Sequence, residues 1–347
     1  MLVQDPSTTG PDPCRRRGEQ LRARRAHKVT VAAVALLLPL LLTTKGCLNA
    51  PAGDDRRAGA ATVLADLGPG SQRSGQRLPW PSEGQSSLVV EGTGHVGTTG
   101  GQRPVPIASL TKVMTATVLL RSHPIGAGEA GPSVTVDRRA EAEAGSSDES
   151  TAPVREGQRL PLRRMLELML LPSANNVARL LARWDAGSQQ AFVRKMNRVA
   201  KTLGMTRTTY TGASGFEPTT TSTADDQMKL ARHAMRHPVL RAVVATRHTR
   251  VPGVPGTVRN TNRLLEQPGV VGLKTGSSTP AGGNLMWAAH VGPAKTSPLA
   301  IGVVLGQRAG TSPAQGLDAA FSHSEALLDA LRERLPAALA GGGRARS

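Results

Sequence analysis

"VPIASLTKVMTATVLL", residues 105–120, holds a lysine inside a run otherwise suited to burial. Leu110, Val113, Met114, Thr117 and Val118 recur at i, i+3, i+4, i+7 and i+8, with Pro106 as a start signal. That is helical periodicity. Leu119 and Leu120 carry the apolar surface to nearly every side, so this helix is expected in the core. A buried charge is costly unless it is paired or neutralised. Lys112 therefore needs a reason to be there, and Ser109 lies one turn earlier on the same face.

Working outward, "SSLVVEGTGHVGTTG" (86–100) reads as a strand, a glycine-containing turn and a second strand. Helical patterns dominate from 107 to about 247. One is "PLRRMLELMLL" (161–171), with Leu162, Met165, Leu166 and Met169 on one face. Strands return in "GVVGLKTG" (269–276), "GNLMWAAHV" (283–291) and "PLAIGVVLG" (298–306). A last amphipathic helix runs from about Pro313 to Leu339, with Leu317, Phe321, Leu327, Leu328, Leu331 and Leu335. The expectation is an α+β domain. An antiparallel sheet comes from both chain ends, flanked by terminal helices, and the middle forms an all-helical lobe. A junction between two such lobes is a usual place for a pocket.

The chain has 347 residues, 39% hydrophobic and 20% charged, which suits a globular core. Aromatics are 2%, so nucleic-acid bases would find few stacking partners. The net charge of +18 is scattered except for an arginine-rich cluster at 15–28, and nucleic-acid binding is not expected. Cys14 and Cys47 both precede the expected domain, so it has no disulfide framework or cysteine metal site. Residues 1–28 read as a basic cytoplasmic tail. Residues 29–44, "VTVAAVALLLPLLLTT", read as a signal anchor or signal peptide at the cytoplasmic membrane. Residues 45–77 read as a flexible linker, 78–340 as the folded domain and 341–347 as a disordered tail.

Three short motifs fall at element junctions. They are Ser109-Leu110-Thr111-Lys112, Ser173-Ala174-Asn175 and Lys274-Thr275-Gly276. Each alone is common, and Ser173 reads equally as the N-cap of a following helix. Their order, 64 and 101 residues apart, matches the Ser-x-x-Lys, Ser-x-Asn, Lys-Thr-Gly set of penicillin-binding proteins and β-lactamases. Longer stretches, "PIASLTKVMTA", "LLPSANNVARLLA", "FVRKMNRVAKTLGM", "STADD", "NTNRLL" and "GVVGLKTGSSTPAGGNL", resemble the low-molecular-mass D-alanyl-D-alanine carboxypeptidases, the S11 serine peptidases. The resemblance covers about Leu78 to Ala330, and "LPWP" is similar to actinobacterial members. It implies a β-lactamase/transpeptidase-like fold and no cofactor or metal. The implied partners are a peptidoglycan stem peptide ending in D-Ala-D-Ala and, as inhibitors, β-lactams. Many relatives carry a second, β-rich domain, which is not expected here.

A serine hydroxyl needs a nearby base. Lys112 serves only when neutral, and burial with a second cation, Lys274, would lower its pKa. The resemblance implies an oxyanion hole from the N–H groups of Ser109 and Ser277. It implies that Ser173 relays a proton to the leaving amine and that Asn175 holds Lys112 and the substrate amide. Lys274 and Thr275 would receive the terminal carboxylate. "VVLGQRAG" resembles the segment whose arginine helps hold that carboxylate, which points to Arg308; a surface loop arginine is the alternative. His233 and His237, spaced i, i+4, lack a third ligand and read as solvated helix histidines. A class A β-lactamase would need a deacylating Glu-x-x-Leu-Asn between the second and third motifs, and neither Glu217 nor Glu266 fits. A rival of another class is a catalytically silent, membrane-anchored binder of peptidoglycan or of a divisome partner.

Overall fold

The computed structural model describes residues 64–72, 77–292 and 297–341. The basic tail (1–28) and the apolar run (29–44) expected as anchor or signal peptide lie outside the described residues. Among the described residues no helix is long and apolar enough to cross a membrane.

Two antiparallel strands, β1 (Gln85–Val90) and β2 (Gly94–Thr99), open the domain. Three more close it: β3 (Val270–Ser278), β4 (Gly282–His290) and β5 (Leu299–Gln307). They form one five-stranded sheet in the order β2-β1-β5-β4-β3. Every pairing is antiparallel, with Leu88 and Trp287 both opposite Gly302. The sheet therefore joins the two ends of the domain, as the pattern predicted. β1 and β3–β5 alternate two apolar sets because both faces are covered. Met286, Ala288, Ile301 and Val303 face one core, while Leu285, Trp287, Ala300 and Val304 face the other.

Residues between β2 and β3 form the lobe. It contains α1 (Thr111–Ser122), α2 (Leu162–Leu170), α3 (Asn175–Ala186), α4 (Gln189–Thr202), α5 (Ala224–Arg236) and α6 (Pro238–Val244). Ser188 and Thr223 cap α4 and α5 by accepting from Ala191 N–H and Asp226 N–H. α1 is buried from Thr111 to Leu120, as its all-round apolar pattern required. The lobe is helical apart from two-stranded ribbons such as Ser133–Thr135 with Arg159–Pro161, which tie its loops. On the far side of the sheet, α7 (Pro313–Gly341) lays Phe321, Leu327, Leu328 and Leu331 on Leu88, Val90 and Trp287.

The linker expected over 45–77 is corrected at its end. Residues 64–67 form a helical turn, and Leu64 and Leu67 are buried in the core that α7 covers. Leu78 N–H and the Trp80 indole N–H both donate to the Leu67 carbonyl. Two leucines at i, i+3 in an Ala- and Gly-rich stretch make too short a stripe to register as a helix. The helix α7 also takes in Gly341, the first residue of the expected tail; 342–347 lie outside the described residues.

Candidate active site

Three elements meet where the lobe touches the sheet edge. A 3₁₀ turn, Ala108–Leu110, runs into α1 and places Ser109 just ahead of the helix and Lys112 in its first turn. The edge strand β3 presses against that turn. A Cβ added to Gly276 would stand 3.0 Å from the amide nitrogens of Ser109 and Leu110, so glycine sets the approach. Gly215, at φ +82°, allows the same on the other side: a Cβ there would meet the Ala108 carbonyl oxygen at 1.9 Å. Four described non-glycine residues have positive φ, and three are Ala108 (45°), Ser173 (67°) and Arg308 (49°). Backbone strain of about 1–3 kcal/mol per residue gathers at functional sites.

Lys112 is fully buried. Its Nζ lies 2.7 Å from Ser109 Oγ, 2.5 Å from Asn175 Oδ1 and 2.8 Å from the Ser214 carbonyl oxygen. Protonated, it donates to all three. A neutral amine keeps two N–H donors and one lone pair. Asn175 Oδ1 and the Ser214 carbonyl only accept, so they take both donors and leave the lone pair facing the Ser109 hydroxyl. Burial pushes Lys112 well below the ordinary lysine range. Lys274 and Arg179 push the same way, against Glu149 and Glu217.

Ser173 is buried, and its Oγ has no hydrogen-bond partner among the described residues. The N-cap of α3 is Ala174, which makes no side-chain cap, so Ser173 does not cap that helix. Asn175 opens α3, with its Nδ2 donating to Glu149 Oε2 at 2.6 Å. Lys274 is buried on β3, donates to the Thr275 carbonyl at 3.0 Å, and is brought by burial to about 7. Thr275 Oγ1 lies 2.6 Å from Thr261 Oγ1, and Thr261 N–H donates to the Leu171 carbonyl at 3.0 Å. That link ties the β3 motif to the end of α2. Ser277 is half-buried, and Gly283 pairs with both it and Gln307. Arg308 follows Gln307 at that end of the sheet. It is exposed, and its guanidinium makes no hydrogen bond or ion pair among the described residues. His233 lies on α5 and His237 at its C-cap. Among the described residues no three side chains of metal-ligating type cluster.

The structure thus puts Ser109, Lys112 and Asn175 in direct contact, with Ser173 two residues before Asn175. Sequence reasoning missed Glu149, Arg179, Ser214 and Thr261. Arg179 carried a signal, since it stands one turn after Asn175 on α3. Ser214 acts through its backbone, which no side chain encodes.

A family model described as D-alanyl-D-alanine carboxypeptidase, of the S11 peptidases, matches residues 82–309. A D-alanyl-D-alanine endopeptidase of Pseudomonas aeruginosa is 35% identical over 194 residues, 51% of this chain and 57% of its own. The D-alanyl-D-alanine carboxypeptidase DacF of Bacillus subtilis is 28% identical over 251 residues, 70% and 63% of the two chains. The chain therefore spans less than two thirds of the length of these curated relatives. The crystal structure of the Streptomyces K15 DD-transpeptidase superposes with a TM-score of 0.63 at 26% identity, over 73% of this chain and 98% of that one. Penicillin binding protein 6B from Escherichia coli gives 0.59 at 28% identity, over 71% and 79%.

Proposed function

The chain belongs to the S11 family of D-alanyl-D-alanine carboxypeptidases, and from that premise we propose that it is itself a serine-type D-Ala-D-Ala carboxypeptidase. It removes the terminal D-alanine of peptidoglycan stem pentapeptides through an acyl-enzyme on Ser109, and β-lactams acylate the same serine. The observation that carries this reading is the buried Lys112 Nζ, 2.7 Å from Ser109 Oγ, with both remaining partners acceptors.

Ser109 Oγ attacks the carbonyl of the penultimate residue, and its proton passes to Lys112 Nζ. The N–H groups of Ser109 and Ser277 face the oxyanion at the start of α1. The C–N bond then breaks. Ser173 Oγ, which has no partner of its own, hands the proton on to the leaving amine. Water hydrolyses the ester and restores Ser109. Lys274, Thr275 and the unpaired Arg308 hold the terminal carboxylate. Arrival of that anion favours the charged form of Lys274, which otherwise sits at about 7. The recharged Lys274 in turn keeps Lys112 neutral. Residues 29–44, read as a signal anchor or a signal peptide, put the domain outside the cytoplasmic membrane, tethered in the first case and released in the second.

The test is intact-mass measurement after incubation with benzylpenicillin, together with release of free D-alanine from an N-acyl peptide ending in D-Ala-D-Ala. Wild type gains one penicilloyl group and releases D-alanine, and Ser109→Ala does neither while keeping its circular dichroism. A folded wild type that is neither acylated nor active would instead be a silent binder.

A further inference from the structure

We propose that Glu149, held by Arg179, is a positioning residue that fixes the Asn175 amide with its oxygen toward Lys112. The inference rests on the serine–lysine reading above. Asn175 has one accepting and one donating end, and its two neighbours differ in what they offer. An ionised carboxylate only accepts. Glu149 Oε2 takes the Asn175 Nδ2 donor at 2.6 Å, so Oδ1 must face Lys112, 2.5 Å away. The opposite flip would aim N–H groups at the Lys112 lone pair and compete with the Ser109 proton for it.

Glu149 can dictate the flip only if it is ionised and fixed. Burial pushes its pKa up, but hydrogen bonds from Arg179 and Asn175 outweigh that and hold the carboxyl below its ordinary range. Arg179 grips Glu149 with both terminal nitrogens, one of them at 3.0 Å from Oε2, and its Nε donates to Glu143 Oε2 at 2.8 Å. A planar guanidinium between two carboxylates suits this brace better than a lysine would. The chain Glu143–Arg179–Glu149–Asn175–Lys112–Ser109 thus runs from the end of a short helix, Arg138–Ala142, through α3 to the nucleophile.

The charged groups bearing on Lys112 are Lys274 from β3, Arg179 from α3, Glu149 from the loop before α2 and Glu217 from the loop before α5. Removing Glu149 deletes an anion that favours protonated Lys112, and removing Arg179 deletes a cation that disfavours it.

The experiment is the pH dependence of β-lactam acylation in wild type, Glu149→Gln, Glu149→Ala and Arg179→Gln, with thermal melting in parallel. In Glu149→Gln the acid limb should move down, because an anion that favours protonated Lys112 is gone. In Arg179→Gln it should move up. In Glu149→Ala, and in Glu149→Gln, whose amide no longer dictates the Asn175 flip, the plateau should also fall, by up to about 10- to 100-fold, the worth of a charge-assisted hydrogen bond. Opposite shifts of the limb are not expected from a residue that only stabilises the fold. Folded variants with the wild-type limb and plateau, or limbs that move the same way, overturn the proposal. If Glu149→Ala fails to fold, the two glutamine variants decide alone. A wild type that is not acylated overturns the underlying reading and this inference with it.

Discussion

Two lysines sit fully buried on facing elements, Lys112 on α1 and Lys274 on β3, and neither has a carboxylate within hydrogen-bond reach among the described residues. Each is a standing cost to the fold. For Lys274 the sign is plain. In the unfolded chain it holds its proton up to ~10.4, whereas in the folded one burial brings it to about 7. Between those values the unfolded state binds more protons, so stability rises with pH through that window. At neutral pH the gap is worth on the order of 4 kcal/mol against folding. Lys274→Met should therefore melt several degrees higher than wild type at pH 7, with the advantage shrinking toward pH 10. It should also stop releasing D-alanine. Equal melting temperatures at pH 7 would mean that the buried amine costs nothing. The same cost explains which site residues were legible beforehand. Lys112 announces itself by breaking an apolar helical pattern, whereas Lys274 is legible only through the order of the Lys-Thr-Gly motif after the other two. Glu149 stands in a polar loop, "GSSDES", where an acid is ordinary, so only the fold gives it a partner.

At the scale of elements, the site depends on how closely β3 approaches the turn before α1. Gly276 is the contact point, with Ser109 N, Leu110 N and Ile107 O all 3.0 Å from where a Cβ would lie. Gly276→Ala should leave the sheet intact, because the residue is on an edge strand whose neighbour β4 still pairs along its length. The added methyl must push the turn and strand apart by a few tenths of an ångström, and the Ser109 and Ser277 N–H groups proposed as oxyanion donors ride on those two elements. Misplaced donors of this kind cost about 10²–10³ in rate. Acylation by a β-lactam should fall accordingly while the circular dichroism holds, and wild-type acylation would show that the contact is slack. The elements themselves were readable because their periods are clean. Both flanking strand sets and the apolar α1 fall within a few residues of their predicted positions. The short ribbons were not readable, since two- and three-residue strands carry no period and form only where the lobe's loops meet.

At the scale of the whole molecule, the sheet separates two cores, and the lobe-side core holds Leu110 and Ala174, the chain neighbours of Ser109 and Ser173. The far core is closed by α7 and by the turn at residues 64–67, which sequence reasoning assigned to the linker. The turn does more than lie on the surface. Leu64 and Leu67 are each 1% exposed, and the Leu67 carbonyl receives both Leu78 N–H and the Trp80 indole. Burial of a leucine is worth roughly 1.5–3 kcal/mol. A chain beginning at Leu78 therefore loses both leucines and leaves part of the α7 core open to water. It should melt several degrees below a chain beginning near residue 60, and Leu64→Ala with Leu67→Ala in the longer chain should reproduce most of that loss. Acylation of Ser109 at a temperature where both chains stay folded should be equal, because the turn lies across the sheet from the lobe. Equal melting temperatures would show that the turn adds nothing. A slower acylation in the shorter chain would show that the far core reaches the site through β4 and β5, whose opposite faces line the two cores.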